Sequence, residues 1–372
     1  MTQFDDIRPY TDSEVPAVMR RLLRDQDLRR TAVAFLFPNA ATNWGWLLRP
    51  LVGLYLRLRF SRVRTVEAFQ RCLEGYMKRL VERSTSSFTV SGLDRLDPDK
   101  AYLFVSNHRD IVMDPGFMNW ALYQHGFQTV RIAIGDNLLS QPFVSDLMRI
   151  NKSFIVKRSI KGRREKLMEA RKLSAYIHHS IVQDNANTWI AQREGRAKDG
   201  IDKTNPAVIG MFSLSRPKDK PYADYVRELN IVPVAIAYEL DPCDTMKARE
   251  RYYQLERGGY EKGKDEDVRS IAQGMSGWKG RVHLSFGKPL QEDHFQNDTE
   301  VAVAVDRQIH HIYRLFETHE TAYRWLYECP EAEAPPWVPK ALRERVAQQP
   351  TELRPYILAQ YANAVRSQQD AD

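Results

Sequence analysis

The sequence predicts an α/β fold in which a mixed, largely parallel sheet is covered by helices, with a helical N-terminal region and a helical C-terminal tail. Two observations lead to this prediction. Six short apolar runs follow one another between residues 101 and 286, and most are separated by segments whose apolar residues repeat at helical spacing. Strands that alternate with helices typically form largely parallel sheets with helices on both faces.

The composition is typical of a globular protein of the reducing cytoplasm. The 372 residues are 43% hydrophobic, enough for one large domain with attachments or for two moderate ones. An excess of 55 Lys and Arg over 48 Asp and Glu gives a net charge of +7, which favours anionic partners such as phospholipid surfaces, acidic carrier proteins, phosphorylated metabolites or nucleic acid. The three cysteines lack CxxC spacing, so neither a disulfide framework nor a zinc site is predicted.

Residues 1–87 are predicted to form a helical region with possible contact to a membrane surface. Residues 12–30 begin with two capping residues and continue with apolar residues at helical spacing. Residues 44–60 mix tryptophans and leucines with arginines, which fits either a helix in the headgroup layer of a membrane or a core helix with arginines at its edges. A third helix is expected at 66–83. Neither a signal peptide nor a membrane span is predicted.

Residues 88–330 are predicted to form the α/β domain. Its strands are expected at the apolar runs, residues 101–105, 130–134, 153–156, 188–191, 231–238 and 281–286. The polar segment 244–279 interrupts the alternation and is predicted to be an insertion that contains helix. One long helix is predicted at 298–319. Residues 331–372 are predicted to be a Pro-rich linker followed by a helical tail that packs loosely.

The stretch FVSNHRDIVMDPGF, residues 104–117, places His108 just beyond an apolar strand, where loops often hold reactive side chains on a rigid support. An imidazole there can take a proton from a hydroxyl group if a carboxylate holds the correct tautomer. Asp110 and Asp114 are the local carboxylates. The stretch also suits a helix start, with Asp114 as N-cap and Pro115 at the first helical position. The residues alone leave both interpretations open.

Five further observations concern short segments that follow one another in a fixed order. They are NHRDIVMD at 107–114, IAIGDNLL at 132–139 with SFIVKR at 153–158, REGRAKDG at 193–200, IVPVAIAYE at 231–239 and LSFGKPL at 284–290. In this order they resemble the blocks of the glycerolipid acyltransferases, the family of glycerol-3-phosphate and lysophosphatidate acyltransferases. The resemblance covers roughly residues 88–290 and implies the α/β fold of that family.

The resemblance implies an O-acyltransferase of phospholipid biosynthesis. Such an enzyme moves a fatty acyl group from acyl-CoA or acyl carrier protein to a hydroxyl of glycerol-3-phosphate or 1-acylglycerol-3-phosphate. It implies that His108 is the general base and that a carboxylate orients it. The family has four residues between the two, whereas five separate His108 from Asp114 here, so Asp110 is an alternative. We favour Asp114. No metal and no cofactor is expected, because the acyl donor is itself a substrate.

The resemblance also implies where the acceptor binds. Guanidinium groups suit the phosphate of the acceptor because they bind it bidentately. The matching substrate-binding positions are Arg158, Glu194, Gly195, Arg196 and Lys198, with Lys157 as a supporting cation.

Two other functions remain open from the sequence. One is an acyltransferase that acts on another lysolipid or on an amino-acid lipid, and the other is a non-catalytic lipid-binding relative. Nucleic acid is not an expected partner, because the positive charge is dispersed and no basic-aromatic module is present. The expected location is cytoplasmic, peripherally associated with the inner face of the cell membrane through residues 44–60.

Overall fold

The computed structural model describes residues 3–37, 40–139, 141–263, 266–330 and 335–371. The chain folds into two compact units. The first unit comprises Met1–Lys78 and Arg131–Tyr176, and the second comprises Arg79–Val130 and Ile177–Asp372. This division differs from the three consecutive domains predicted from the sequence, 1–87, 88–330 and 331–372, which stay a prediction. Part of the predicted linker, residues 331–334, lies outside the described residues.

The described residues contain helices and strands in the following order along the chain. The helices are α1 (Val15–Arg24), α2 (Gln26–Leu36), α3 (Ala41–Phe60), α4 (Val66–Ser84), α5 (Met113–Gln124), α6 (Pro142–Ile150), α7 (Arg163–Val182), α8 (Pro206–Ser213), α9 (Tyr222–Glu228), α10 (Asp244–Glu256), α11 (Glu266–Ser276), α12 (Asp298–Ile312), α13 (Glu317–Tyr323), α14 (Lys340–Ala347) and α15 (Arg354–Gln369). The strands are β1 (Ser87–Ser91), β2 (Leu103–Ser106), β3 (Arg131–Gly135), β4 (Ser153–Val156), β5 (Thr188–Ala191), β6 (Ile231–Tyr238) and β7 (Arg281–Phe286).

The second unit is built on a sheet with the strand order β1-β7-β6-β2-β5. Three neighbouring pairs are parallel, and only β6 and β7 run antiparallel among these strands. Helix α12 packs on β6, and α5 packs on β7. The predicted fold class, a mixed and largely parallel sheet covered by helices, is therefore confirmed. The register places Ser106, the last residue of β2, beside Val234, so β6 continues four residues beyond the end of β2.

The first unit contains the parallel pair β3 and β4 and a core formed by helices. Apolar side chains of α1 pack with Val66 and Phe69 of α4 and with Phe143 and Ile150 of α6. The side chain of Asp12 accepts a hydrogen bond from Val66 N at 2.8 Å and so caps α4. Within the described residues, no helix combines the length and the apolar composition that a membrane span requires.

Two predicted helices are each divided in the structure. The helix predicted at 12–30 is α1 followed by α2, because Asp25 leaves the helical conformation and its carboxylate caps the next helix at Leu28 N. The helix predicted at 298–319 is α12 followed by α13, because Tyr313 is extended. In both places a local cap or an extended residue outweighs a continuous apolar repeat.

The prediction of a loosely packed C-terminal tail is wrong. Helix α15 buries side chains on the second unit, where they join one apolar cluster with Leu240, Ala248 and residues of α13 and α14. Its carbonyl group at Gln360 lies so close to Gly200 that a Cβ atom on the glycine would be 2.2 Å from the Gln360 oxygen. The polar composition of the tail concealed this packing, because α15 buries residues on several faces, including the polar Gln360 and Asn363.

Candidate active site

The side chain of Asn107 continues the pairing between β2 and β6 where the main chain of β2 leaves the sheet. Its Oδ1 accepts a hydrogen bond from Ile236 N at 2.7 Å, and its Nδ2 donates to Ile236 O at 3.1 Å. The same Nδ2 donates to Asp202 Oδ2 at 3.0 Å. The residue that precedes His108 is therefore fixed to the sheet, and the loop begins from a rigid point.

His108 is in direct contact with Asp114. The imidazole Nδ1 and Asp114 Oδ2 are 2.7 Å apart, a hydrogen-bond distance. The imidazole also meets the ring of Trp189 edge to face, with centroids 5.8 Å apart. The His108 side chain is 14% exposed, and its Nε2 has no hydrogen-bond partner among the described residues. A histidine held in this way can present a free nitrogen to a ligand.

Asp114 is fully buried, and both of its carboxylate oxygens accept hydrogen bonds. Besides His108, Oδ2 accepts from the backbone N–H groups of Arg109 at 2.6 Å and Asp110 at 2.9 Å. Oδ1 accepts from the hydroxyl of Tyr238 at 2.7 Å. Five residues lie between His108 and Asp114, and the loop absorbs the additional one by wrapping around the carboxylate.

Asp110 takes a different place from Asp114. Its Oδ1 accepts hydrogen bonds from the backbone N–H groups of Val112, the N-cap residue of α5, and of Met113, the first residue of that helix. Of the interpretations that the sequence left open, Asp114 as N-cap is wrong, because α5 begins at Met113 and Asp114 lies inside the helix. The other oxygen of Asp110 is buried and has no partner among the described residues. Burial and the nearby Asp114 raise the pKa of Asp110 above its ordinary value.

The loop at 193–200 lies beside the loop that carries His108. Ala197 N donates to the His108 carbonyl oxygen at 2.9 Å. Gly195 has φ +73°, a conformation that favours glycine, and together with Glu194 it is exposed. Ala197, which makes this hydrogen bond to the His108 main chain, directly follows the predicted site residues Glu194, Gly195 and Arg196.

The predicted cations differ in their surroundings. Arg196 donates to Ser270 Oγ of α11 at 2.6 Å, and that is its only hydrogen bond to a described residue. Lys198 forms an ion pair with Glu250 of α10, so its charge is already compensated. Arg158 belongs to the first unit, where its backbone N–H donates to Asp136 Oδ1 at 3.1 Å. Lys157, also in the first unit, pairs with Asp6 and with Glu169.

The sequence did not indicate a buried ionic network behind the His108 loop. Arg109 donates to both carboxylate oxygens of Asp202, at 2.6 and 2.7 Å. Burial opposes the charge of Arg109, but Asp202 and Tyr313 outweigh that effect and hold the pKa of Arg109 above its ordinary value. The buried Lys247 of α10 donates to the Arg109 carbonyl oxygen at 2.6 Å and pairs with Asp241.

Tyr238 is a second feature of the site that was not predicted from the sequence. A tyrosine at the end of an otherwise apolar strand is a recognisable signal, because a buried hydroxyl needs a hydrogen-bond partner. Lys247 had no comparable signal, since it lies in a segment rich in exposed charges. Its partner Arg109 is 138 positions away in the sequence.

A comparison with family models agrees with the resemblance seen in the sequence. A family model described as Acyltransferase matches residues 87–237, which include His108 and Asp114. Among solved structures, the chain is similar to the 1-acyl-sn-glycerophosphate (LPA) acyltransferase PlsC from Thermotoga maritima, with 17% sequence identity and a TM-score of 0.38 over 77% of this chain and 95% of that chain. No curated protein gives a match. Residues 87–237 of this chain are thus similar to the acyltransferase family.

Proposed function

We propose that this acyltransferase moves a fatty acyl group from acyl-CoA or acyl carrier protein to a hydroxyl of glycerol-3-phosphate or 1-acylglycerol-3-phosphate, with His108 as the general base. The observation that carries the proposal is the 2.7 Å contact between His108 Nδ1 and Asp114 Oδ2, which leaves Nε2 for a substrate. A general base needs a nitrogen within reach of the hydroxyl and a partner that fixes its tautomer.

The proposed reaction is a direct transfer without an acyl-enzyme. Nε2 of His108 removes the proton of the acceptor hydroxyl while the oxygen attacks the thioester carbonyl carbon. The C–S bond breaks as the tetrahedral intermediate collapses, and the departing thiolate takes the proton from Nε2. Asp114 keeps the proton on Nδ1 and stabilises the imidazolium between the two steps. The products are the ester and the free thiol of the carrier.

The acceptor phosphate is proposed to bind to Arg196. Its guanidinium makes one hydrogen bond to Ser270 among the described residues, which leaves N–H groups for a bidentate contact with phosphate. Lys198 is a weaker candidate than the sequence suggested, because Glu250 already compensates its charge. Glu194 and Gly195 are proposed to line the acceptor site. Arg158 is kept as a proposed phosphate ligand on the family resemblance alone.

Membrane contact is proposed for helix α3, at the cytoplasmic face of the cell membrane. The support comes from large apolar side chains that remain exposed along this one helix, namely Trp44, Trp46, Leu47, Leu51, Leu54, Tyr55 and Leu58. Arginines at 49, 57 and 59 lie on the same helix. Exposed apolar residues next to cations fit a layer of anionic headgroups.

The test is acyl transfer with a defined panel of substrates. Labelled acyl-CoA and acyl carrier protein are each offered glycerol-3-phosphate, 1-acylglycerol-3-phosphate, other lysophospholipids and lyso forms of amino-acid lipids, and the products are identified by mass spectrometry. Transfer to one of the first two acceptors supports the proposal. Transfer only to another acceptor would replace the proposed substrate. No transfer from either donor to any acceptor by the folded protein would contradict the proposal.

The histidine is tested in the same assay with a matched pair of variants. His108→Ala should lose transfer by about 100-fold or more, since general-base catalysis contributes on that order. His178→Ala is the control, because His178 lies on α7 and contacts Glu228 instead of the candidate site. Equal activity of both variants would contradict the role of His108.

A further inference from the structure

Tyr238 reaches the candidate site from the end of β6. This strand extends four residues beyond the end of β2, and its last residue therefore lies at the level of the loop that follows β2. The Tyr238 side chain is buried, its ring meets Phe117 of α5 edge to face at 5.8 Å, and its hydroxyl donates to Asp114 Oδ1 at 2.7 Å. The strand and the helix together fix the position of this hydroxyl.

The two oxygens of Asp114 are held by unequal sets of donors. Oδ2 accepts three hydrogen bonds, all from residues 108–110 of the adjoining loop. Oδ1 accepts one, from Tyr238, and no other described residue donates to it. Because a carboxylate turns about its Cβ–Cγ bond, the donor on Oδ1 acts together with the three partners of Oδ2 to keep Oδ2 in the plane that points at His108 Nδ1.

Tyr238 is suited to this task because it remains a donor. Burial raises the pKa of Tyr238 well above its ordinary value, and the negative charges of Asp114 and Asp110 raise it further. The hydroxyl therefore keeps its proton and gives it to a hydrogen bond with Asp114. The cations nearby are engaged elsewhere, Arg109 with Asp202 and Lys247 with Asp241, so neither one substitutes for the tyrosine.

We propose that Tyr238 is a positioning residue for acyl transfer, which acts by fixing the Asp114 carboxylate so that its Oδ2 remains on Nδ1 of His108. This role rests on the proposed function of His108. Tyr238 does not touch the reacting atoms, and its effect passes through Asp114. Loss of the hydroxyl leaves Oδ1 buried without a donor, allows the carboxylate to turn, and weakens the hold on the imidazole.

The experiment compares Tyr238→Phe with a matched control, Tyr222→Phe. Tyr222 makes the same kind of bond, from its hydroxyl to Asp298 Oδ1 at 2.6 Å, and lies on α9. In Tyr238→Phe, kcat should fall about tenfold, as expected for a disturbed general base, while KM changes less than about twofold. Tyr222→Phe should keep both constants. Unchanged kcat in Tyr238→Phe, or an equal loss in both variants, would overturn the proposal.

A second readout does not depend on turnover. The Nδ1 proton of His108 should give a downfield proton resonance in the NMR spectrum, identified by its loss in His108→Gln. This resonance should move in Tyr238→Phe and stay in place in Tyr222→Phe. If the folded wild-type protein transfers no acyl group, the proposed function fails, whereas an unmoved resonance in Tyr238→Phe refutes the positioning role itself.

A third variant covers the case in which Tyr238→Phe does not fold. Site-specific replacement of Tyr238 by 3-fluorotyrosine keeps the hydroxyl and makes it a more acidic donor. The His108 resonance should then move again, because the bond to Asp114 strengthens. A fluorinated variant with an unchanged resonance would also overturn the proposal.

Discussion

Asp110 and Gly274 are in van der Waals contact across the second unit, with the Asp110 carboxylate lying directly against the glycine of α11. A Cβ atom on Gly274 would lie 1.9 Å from Asp110 Oδ2 and 2.7 Å from its Cγ. Asp110 cannot easily retreat, because its other oxygen accepts hydrogen bonds from the backbone N–H groups of Val112 and Met113. The loop that carries His108 is therefore packed against α11, part of the segment predicted from the sequence to be an insertion.

The first prediction concerns this contact. Gly274→Ala should lower the free energy of unfolding by about 1–3 kcal/mol, as overpacking typically does, and should lower acyl transfer because the His108 loop must shift. Gly75→Ala is the matched control, since Gly75 is an exposed helix residue with open space beside it. That substitution should stabilise by about 0.5–1 kcal/mol. Chemical denaturation measures both changes, and a Gly274→Ala protein as stable as Gly75→Ala would contradict the packing.

The second prediction uses the raised pKa of Asp110. Below the ordinary pKa of an aspartate, about 3.9, this carboxyl group is neutral in both the folded and unfolded protein. As the pH rises through the raised pKa that Asp110 has in the folded protein, the wild type loses stability. Asp110→Asn keeps this stability, because an asparagine side chain does not ionise. The melting temperature of Asp110→Asn minus that of the wild type should therefore grow between pH 4 and neutral pH. The Asp110 carboxyl group interacts electrostatically with three charged side chains, namely Asp114, Asp241 and Lys279. A difference independent of pH would contradict the assignment.

The third prediction tests whether His108 and Asp114 act as one unit. Asp114→Asn should reduce kcat by about 100-fold or more, because an amide cannot hold the imidazole tautomer as the carboxylate does. The double variant with His108→Ala should be no slower than His108→Ala alone, since residues that act together give non-additive losses. Steady-state kinetics of the three proteins measure this. If the loss of kcat in the double variant equals the product of the two single losses, the two side chains act independently.

The fourth prediction concerns the C-terminal helix. A chain that ends at residue 339 should give little soluble protein and should bind a hydrophobic dye, because α15 covers an apolar cluster and Gly200. It also removes Tyr361, whose hydroxyl donates to the buried Asp244 at 2.7 Å. A chain that ends at residue 369 keeps α15 and serves as the control. Equal melting temperatures for the two chains would contradict the packing of this helix.

The fifth prediction concerns the surface of α3. Replacing Leu51, Leu54 and Leu58 by serine should weaken sedimentation with vesicles that contain anionic phospholipid, because these side chains are 60%, 55% and 74% exposed. The melting temperature should stay nearly constant for the same reason. The control replaces three apolar residues of similar exposure in the second unit by serine, namely Leu255, Val268 and Val303. Equal vesicle binding of both triple variants would refute the proposed contact of α3.

Most of the sheet could be predicted from the sequence because its central strands are buried apolar runs. The strands predicted at 153–156, 188–191, 231–238 and 281–286 have those bounds in the structure. Strand β1 was missed, because its residues alternate between exposed and half-buried positions and are rich in serine and threonine. A short edge strand with that composition resembles a loop until its partner β7 is known.

The site was predictable where its partners are close in sequence. The contact between His108 and Asp114 spans six positions and followed from local spacing and the family resemblance. Tyr238 and Lys247 lie 124 and 138 positions from the groups they contact, and such partners are set by strand order and helix packing. The pairing of Lys198 with Glu250 was missed for the same reason, since it depends on where α10 packs.

The side chain of Asn107 has a consequence for any attempt to redesign this protein. Its amide replaces one rung of the β2–β6 ladder, giving a donor to Ile236 O and an acceptor to Ile236 N. An aspartate of the same shape would present oxygen to the Ile236 carbonyl and could not replace it. The chemistry at position 107 is thus dictated by strand pairing. Redesign should therefore leave Asn107 untouched, whereas the loop around Gly195 is exposed and takes no part in this ladder.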